Sequence, residues 1–331
     1  MCEILLIFTD ISGCPPIVCL AALIINTREF SPLRASVHSE CSYIKFCGHP
    51  TKKKGGNSMK KIKGNKGRFK LAVMVIVAVG LLTGCAYTTK DLNEQSVLAI
   101  SWVQTSAEFR AISYQAYNLA KMNLDSFLAT YSGSKPVAIS VDIDEVVFDN
   151  SAYQAWLVGQ DFGYSSETWG PWIASRQTNP MPGAIEFLNY AKEKGVVIFY
   201  ISNIQMDFYE GTEKRMKELG IPYADKQHLL LKTKTSDKQP RRDIVAQDYE
   251  IALLLGDNLN DFLSVFRKKP VVERSAEVDK IKDEWGRKFI VFPNPQYGDW
   301  EGSIYKGNWG ASAAEKDKMR KDHLERWDYA P

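Results

Sequence analysis

Residues 137–153 read VAISVDIDEVVFDNSAY. The run Val137–Val141 is short, apolar and rich in β-branched residues, which predicts a strand buried on both faces. Asp142, Ile143, Asp144 and Glu145 follow it directly. Similar apolar runs recur at 196–201, 229–231, 251–255 and 289–292, separated by helical stretches at 184–194, 207–219 and 236–247. Strand alternating with helix predicts an α/β fold, a doubly wound parallel sheet with right-handed crossovers. Upstream, residues 96–131 carry apolar side chains at three- and four-residue steps, a helical region that ends at Ser132-Gly133-Ser134 and Pro136.

Ligands of an open parallel sheet bind beyond the carboxyl ends of its strands, so the residues that follow each run carry the most weight. Asp142 and Asp144 stand at i and i+2, and alternation in an extended segment turns both carboxylates to one side. Asp257, in GDNLND (256–261) after the fourth run, adds a third carboxylate. Such a hard oxygen cage suits Mg²⁺, which takes a few carboxylates, water and substrate phosphate oxygens. The cation would relieve carboxylate repulsion and neutralise an incoming phosphate. One carboxylate can then attack phosphorus while its neighbour protonates the leaving alkoxide and later activates water. Ser202 and Asn203 follow the second run, and Ser202 offers a hydroxyl donor. Lys238, at the start of a helix, offers a positive charge for the equatorial phosphoryl oxygens. Lys232 and Lys234 are its rivals; Lys238 is preferred because Ser236 can cap its helix and fix it in the first turn. A lone D-x-D reads equally as a solvated turn, and it is the four elements in order that point to phosphoryl chemistry.

Composition narrows the alternatives. The 331 residues are 45% hydrophobic with a net charge of +3, but the charge is uneven. Residues 1–84 hold 12 Lys/Arg against 4 Asp/Glu, and the rest hold 30 against 35. A mildly acidic body gives no reason to expect a broad nucleic-acid footprint, and no nucleic-acid polymer is expected as partner. Five of the six cysteines precede residue 50, and Cys85 stands alone after them. From Cys85 onward neither an internal disulfide nor a thiolate zinc cluster can form. His228 and His323 are the body's only histidines, which argues against a multi-histidine metal site.

Residues 60–70, KKIKGNKGRFK, are basic, and 71–82, LAVMVIVAVGLL, are apolar. Twelve apolar residues span about 18 Å as a helix, short of a bilayer core of about 30 Å. A basic region, a short apolar region and Leu82-Thr83-Gly84-Cys85 in that order predict a secretory signal over 59–84, with an ending that resembles a bacterial lipobox. Cleavage before Cys85 and its lipidation would give several acyl chains, enough for firm membrane anchoring. Met59-Lys60-Lys61 fits a signal-peptide start, and Lys54-Gly55-Gly56 can encode a ribosome-binding sequence just upstream. Residues 1–58 are therefore expected to be an upstream extension outside the natural protein. Residues 85–95 are expected to be a polar tether and 96–331 the folded domain: helices over 96–132, a catalytic core over 136–293, and a substrate loop with a final helix over 293–331. Ala86 lacks the Asp-type retention signal, which favours the outer membrane.

These motifs resemble the haloacid dehalogenase superfamily of phosphatases. VDIDEVVFDNSAY (141–153, preceding valine included) and LGDNLNDF (255–262) are similar to the paired signature of class C acid phosphatases, the lipoprotein e family. The likeness extends to 95–121, to TWGPWIASRQ (168–177) with PMPGAIEF (180–187), and to FPNPQYGDWEG (292–302). It implies a Rossmann-like core with a smaller helical cap. It also implies a Mg²⁺-dependent acid phosphomonoesterase with Asp142 as nucleophile and Asp144 as acid/base. The metal would be held by Asp142, the backbone carbonyl of Asp144 and Asp257, supported by Asp261. Ser202, Asn203 and Lys238 would hold the phosphoryl group. Trp169 and Tyr297 are the implied faces for a base, because related enzymes act on nucleoside 5′-monophosphates such as nicotinamide mononucleotide; stacking contributes about 1–3 kcal/mol per base. Asn294 is expected to orient the loop that carries Tyr297. Val146 and Ile204 depart from the family's usual Thr and Arg. A phosphotransferase using the same intermediate and a non-catalytic surface-binding lipoprotein are the competing readings, and a homodimer stays open.

Overall fold

The computed structural model describes residues 87–329. The expected upstream extension 1–58, signal peptide 59–84 and lipidated Cys85 lie outside the described residues. The described part of the expected tether is corrected: Thr89–Glu94 forms helix α1, begun by an Asp91 carboxylate that accepts the Thr88 N–H at 2.7 Å, and Leu92 is buried. The expected helical region is two helices, α2 (Val97–Thr105) and α3 (Ala107–Thr130). Ser106 divides them. Its backbone is extended and its Oγ accepts from Phe109 N at 3.0 Å, so it starts α3 as an N-cap while ending α2.

The core then runs β1 (Val137–Val141), β2 (Phe148–Asp149), α4 (Ser151–Leu157), α5 (Ser166–Ser175), β3 (Asn179–Pro180), α6 (Ala184–Glu193), β4 (Val197–Gln205), α7 (Tyr209–Glu218), β5 (Leu229–Lys232), α8 (Gln239–Asp248), β6 (Glu250–Gly256), α9 (Val271–Lys280) and β7 (Phe289–Val291), closed by α10 (Asp299–Ile304) and α11 (Ala313–Asp322). The main sheet has the order β5-β4-β1-β6-β7 and every pairing in it is parallel. The doubly wound expectation holds. The chain winds one way from β1 through β4 to β5, then returns to β1's other side with β6 and β7. This places the topological switch point at the carboxyl end of β1.

Burial on both faces explains the unbroken apolar runs. All five residues of β1 are buried. Ile139 and Val141 join Ile198, Leu253 and the inner faces of α3 and α6 in the main core. Ala138 faces the other way, with Phe199, Ile201 and Val245 of α8. The small β2–β3 ladder is antiparallel, Phe148 opposite Pro180, and the helices α4 and α5 inserted between these strands form the expected helical subdomain. Tyr153, Leu157, Trp169 and Ile173 fill that subdomain's own core. At the far end Arg320 of α11 donates to Tyr305 Oη (2.6 Å), Glu301 Oε1 (2.5 Å) and Gln95 Oε1 (2.7 Å), fastening the C-terminal helix to the α1 region. No helix among the described residues is long and apolar enough to cross a membrane.

Leu124 of α3 has no exposed surface, whereas Leu98 of α2 is 81% exposed. Leu124→Ala is expected to cost about 2–5 kcal/mol in a urea melt, and Leu98→Ala less than about 0.5 kcal/mol. Equal midpoints for the two variants would show that α3 is not part of the core.

Candidate active site

The site begins where β1 stops. Asp142 N–H still donates to Leu255 O of β6 (2.9 Å), so the sheet fixes its backbone. Its Oδ1 accepts from Ile143 N at 2.7 Å. The chain then turns sharply, with Val147 and Phe148 N–H groups both donating to Ile143 O (2.8 and 2.9 Å). Glu145 occupies the left-handed region (φ 57°), a conformation that costs a non-glycine residue energy and needs support from its surroundings.

Oxygens of Asp142, Asp257 and Asp261 lie within 4.8 Å of one another. They come from loops after two adjacent parallel strands, β1 and β6. Gly256 makes the approach possible: a Cβ there would stand 2.5 Å from Asp261 Cβ. Lys238, 2% exposed, places Nζ 2.8 Å from Asp142 Oδ1 and 2.7 Å from Asp261 Oδ1. Lys238 is thus the lysine in the site, while Lys234 is exposed and Lys232 half-buried. The expected reason is corrected. Ser236 is exposed and accepts from Arg267; Asp237 Oδ1 instead holds Gln239 N–H (3.0 Å) at the helix start. Asp261 does more than support the site from outside, since its Oδ1 meets Lys238 and its Oδ2 accepts Asn258 N (2.9 Å).

Asp144 is close by, but its carboxylate is not among the clustered three; Oδ1 accepts from Asn150 Nδ2 at 2.9 Å. Burial and then the charge of Asp142 push Asp144 up to about 7. Burial raises Asp142 to about 6 against the opposing pull of Lys238. Asp257 is held well above the usual carboxylate range by burial and by Asp261 and Asp142. Burial alone would lower Lys238, yet Asp142 and Asp261 outweigh it and hold it raised. Crowded, secluded carboxylates with one shared ammonium are a donor set that fits a hard divalent cation.

Ser202 and Asn203 fall inside β4, which runs on to Gln205. Ser202 is fully buried; its Oγ accepts from Ile204 N (3.1 Å), leaving its hydroxyl proton to donate. Asn203 is exposed and its Oδ1 accepts from Arg241 Nη2 (2.8 Å), while Arg241 Nη1 donates to Ser202 O (2.5 Å) and Leu230 O (3.0 Å). Asn203 therefore holds Arg241 in place. Val146 and Ile204 are buried, and Val146 O accepts a short bond from Tyr117 Oη.

The two aromatic residues part company. Trp169 is 5% exposed and packs edge-on against Tyr153 at 4.9 Å in the subdomain core, so the expectation of an open stacking face there is corrected. Tyr297 does reach the carboxylates: its Oη donates to Glu145 Oε1 at 2.8 Å. Asn294 donates to Asp257 Oδ2 (2.8 Å) and accepts from Gln296 N (3.0 Å), orienting this loop. Sequence reasoning assigned no role to Glu145 or Asn150, and saw in Trp172 only one of several aromatic rings near the loops. Glu145 Oε2 accepts Asn150 N (3.2 Å), and Trp172 Nε1 donates to Asn150 Oδ1 (2.9 Å). Burial, then Asp149 and Asp144, push Glu145 up to about 8. Glu145 and Asn150 stood within the quoted signature, but only folding shows what they touch.

Comparison with known proteins agrees with this geometry. Residues 78–300 match the family described as HAD superfamily, subfamily IIIB (Acid phosphatase). The class C acid phosphatase from Bacillus anthracis is 43% identical over 72% of this chain and 99% of its own, with a TM-score of 0.69. Its crystal structure with tungstate bound matches with the same values. The chain belongs to subfamily IIIB of the HAD superfamily, the acid phosphatases, and is a phosphomonoesterase.

Proposed function

We propose that the protein is a Mg²⁺-dependent acid phosphatase that works through an aspartyl-phosphate on Asp142 and hydrolyses nucleoside 5′-monophosphates at the outer face of a bacterial membrane. The observation that carries this reading is the convergence of Asp142, Asp257 and Asp261 from separate loops, with Lys238 between two of them. Asp142, Asp257 and the Asp144 carbonyl would hold the cation with Asp261 beside them, and the ion would supply charge neutralisation for the nucleophile and phosphoryl oxygens.

Asp142 attacks phosphorus as a carboxylate, and the bond to the ester oxygen breaks. Asp144 gives that oxygen its proton. Water then surrenders a proton to Asp144 and attacks the aspartyl-phosphate, releasing phosphate and restoring both side chains. The environments suit the roles: burial raises both carboxyls, and the Lys238 ammonium opposes that rise most directly at Asp142, which favours its ionised form as nucleophile. Lys238 Nζ and Ser202 Oγ offer the donors for the phosphoryl oxygens. Tyr297, beside Glu145, supports a flat substrate group next to the site. The lipobox at 82–85 supports export and lipid anchoring at Cys85, with the outer membrane favoured.

Asp142→Asn is expected to abolish turnover, by at least about a thousandfold, while the far-ultraviolet circular dichroism stays unchanged; wild-type turnover in that variant removes the nucleophile. A substrate panel with purified residues 86–331 is expected to favour nucleotides over sugar phosphates and phosphotyrosine.

Removal of metal with EDTA is expected to inactivate, and Mg²⁺ to restore. Metal and pH are also linked through stability. Asp142, Asp144 and Glu145 sit at about 6, 7 and 8 in the fold, above ordinary carboxylates near 4. The folded state therefore binds the extra protons, and its advantage is complete below about pH 4 and lost as pH rises through 6 to 8. The EDTA-treated protein is expected to melt several degrees lower at pH 8 than at pH 5. Mg²⁺ is expected to raise Tm more at pH 8, since it takes deprotonated carboxylates. A melting temperature that climbs with pH in EDTA contradicts the crowded-carboxylate site.

Cys85→Ala is expected to leave an unprocessed precursor that incorporates no labelled palmitate. Normal processing and labelling of that variant would eliminate the anchor.

A further inference from the structure

Asn150 is fully buried at the junction of the β1 turn and the helical subdomain, and every polar atom of its amide and its N–H is engaged. The chemistry of the neighbours fixes which way the amide faces. Trp172 Nε1 is a donor only, so the atom 2.9 Å from it must be the oxygen, Oδ1. Nδ2 is then the atom turned to Asp144 Oδ1 at 2.9 Å, and it can only donate. An amide with no rotational choice imposes an acceptor role on Asp144 Oδ1.

We propose that Asn150 is a positioning residue that fixes the Asp144 carboxyl through Oδ1 and so leaves Oδ2 as the oxygen that serves the leaving group. The step is the one already given for Asp144: as Asp142 Oδ bonds phosphorus and the P–O bond to the leaving group breaks, the proton passes from Asp144 Oδ2 to the leaving oxygen. Asn150 Nδ2–H stabilises the negative charge that appears on the carboxylate at that moment. Trp172, in α5 of the subdomain, holds the amide from behind. The Asn150 N–H bond to Glu145 Oε2 fixes its backbone to the turn that carries Asp144. This inference rests on Asp144 as the general acid.

Leaving groups of different basicity test it. A nitrophenolate departs without protonation, whereas an alkoxide needs the acid. The readout is kcat/KM for p-nitrophenyl phosphate and 2-phenylethyl phosphate, because kcat/KM stops at formation of the phosphoenzyme and is blind to its hydrolysis. Asn150→Leu is expected to lose about tenfold or more on the alkyl ester beyond its loss on the nitrophenyl ester, within the range typical of outer-shell partners. Trp172→Phe, which removes the N–H together with the pyrrole part of the indole, is expected to shift the ratio in the same direction by less, and it carries the test should Asn150→Leu not fold. Equal losses on both esters, or none, in Trp172→Phe and in a folded Asn150→Leu overturn the proposal. Asp144→Asn run in parallel separates the two levels. If it discriminates between the esters and the other variants do not, positioning by Asn150 fails alone. If it does not discriminate, the acid assignment fails and this inference with it.

Discussion

The ammonium of Lys238, shared between Asp142 and Asp261, is the interaction on which the site depends. Two like charges 4.8 Å apart repel by about 3 kcal/mol at an effective dielectric of 20, and three clustered carboxylates make three such pairs. Breaking a buried ion pair from one side is strongly destabilising because the remaining charge is left without compensation. Lys238 neutralises one charge of three. The remainder explains why burial and mutual repulsion hold Asp142 and Asp257 above ordinary carboxylates. A site with this imbalance is stable when protonated or when it meets further positive charge, which is the electrostatic signature of a receptor for a cation and a phosphoryl group together.

The sheet delivers these groups because its strands are parallel. Parallel neighbours end on the same side, so residues after β1 and β6 meet although 115 positions of sequence separate Asp142 from Asp257. The register brings Val141 opposite Leu255, two residues before Asp257, and the Asp142 N–H to Leu255 O bond extends it. Behind the cluster, Asp299 accepts from Asn258 (3.0 Å) and Asn260 (2.5 Å), and Arg274 donates to Asn258 Oδ1 (3.1 Å). These bonds set the curvature of the loop that presents Asp257 and Asp261. The C-terminal segment thus shapes the acidic loop as well as contributing Tyr297.

Elements whose pattern is local were legible in the sequence. The strands of the sheet could be read because residues buried on both faces leave a continuous apolar run, and the three acidic and basic motifs because topology places strand ends together. What depends on contacts distant in sequence was not. Ser106 lies in a helical periodicity that runs through it, and only its own backbone shows the break. The stretch 88–95 is polar enough to read as a tether, yet α11 supplies the partner that orders it, through Arg320 and Gln95. Trp169 and Tyr297 are both aromatic residues in family-like segments. Their fates differ because Tyr153 and Ile173 enclose the first, whereas Glu145 draws the second to the carboxylates. Lys238 could be read from its place at a helix start, although Asp237, not Ser236, makes the side-chain bond to the backbone there.

Glu145 shows how these parts act as one. Its left-handed backbone is a consequence of the tight turn that returns Phe148 to the β1 loop, with Glu145 N–H donating to Phe148 O at 2.8 Å. That conformation turns its two oxygens to different elements, one to Tyr297 of the C-terminal loop and one to Asn150 at the entry to the subdomain. Strain of this kind persists where the surroundings over-determine the geometry; here the Asn150 contact is buried and the Tyr297 contact partly so. A movement of the C-terminal loop or of the helical subdomain must therefore pull on the same turn that carries Asp142 and Asp144. The C-terminal loop and the entry to the subdomain are thus coupled through one side chain, that of Glu145, next to Asp144 in sequence. This gives a physical reason for an acidic, buried and conformationally costly residue to sit next to Asp144.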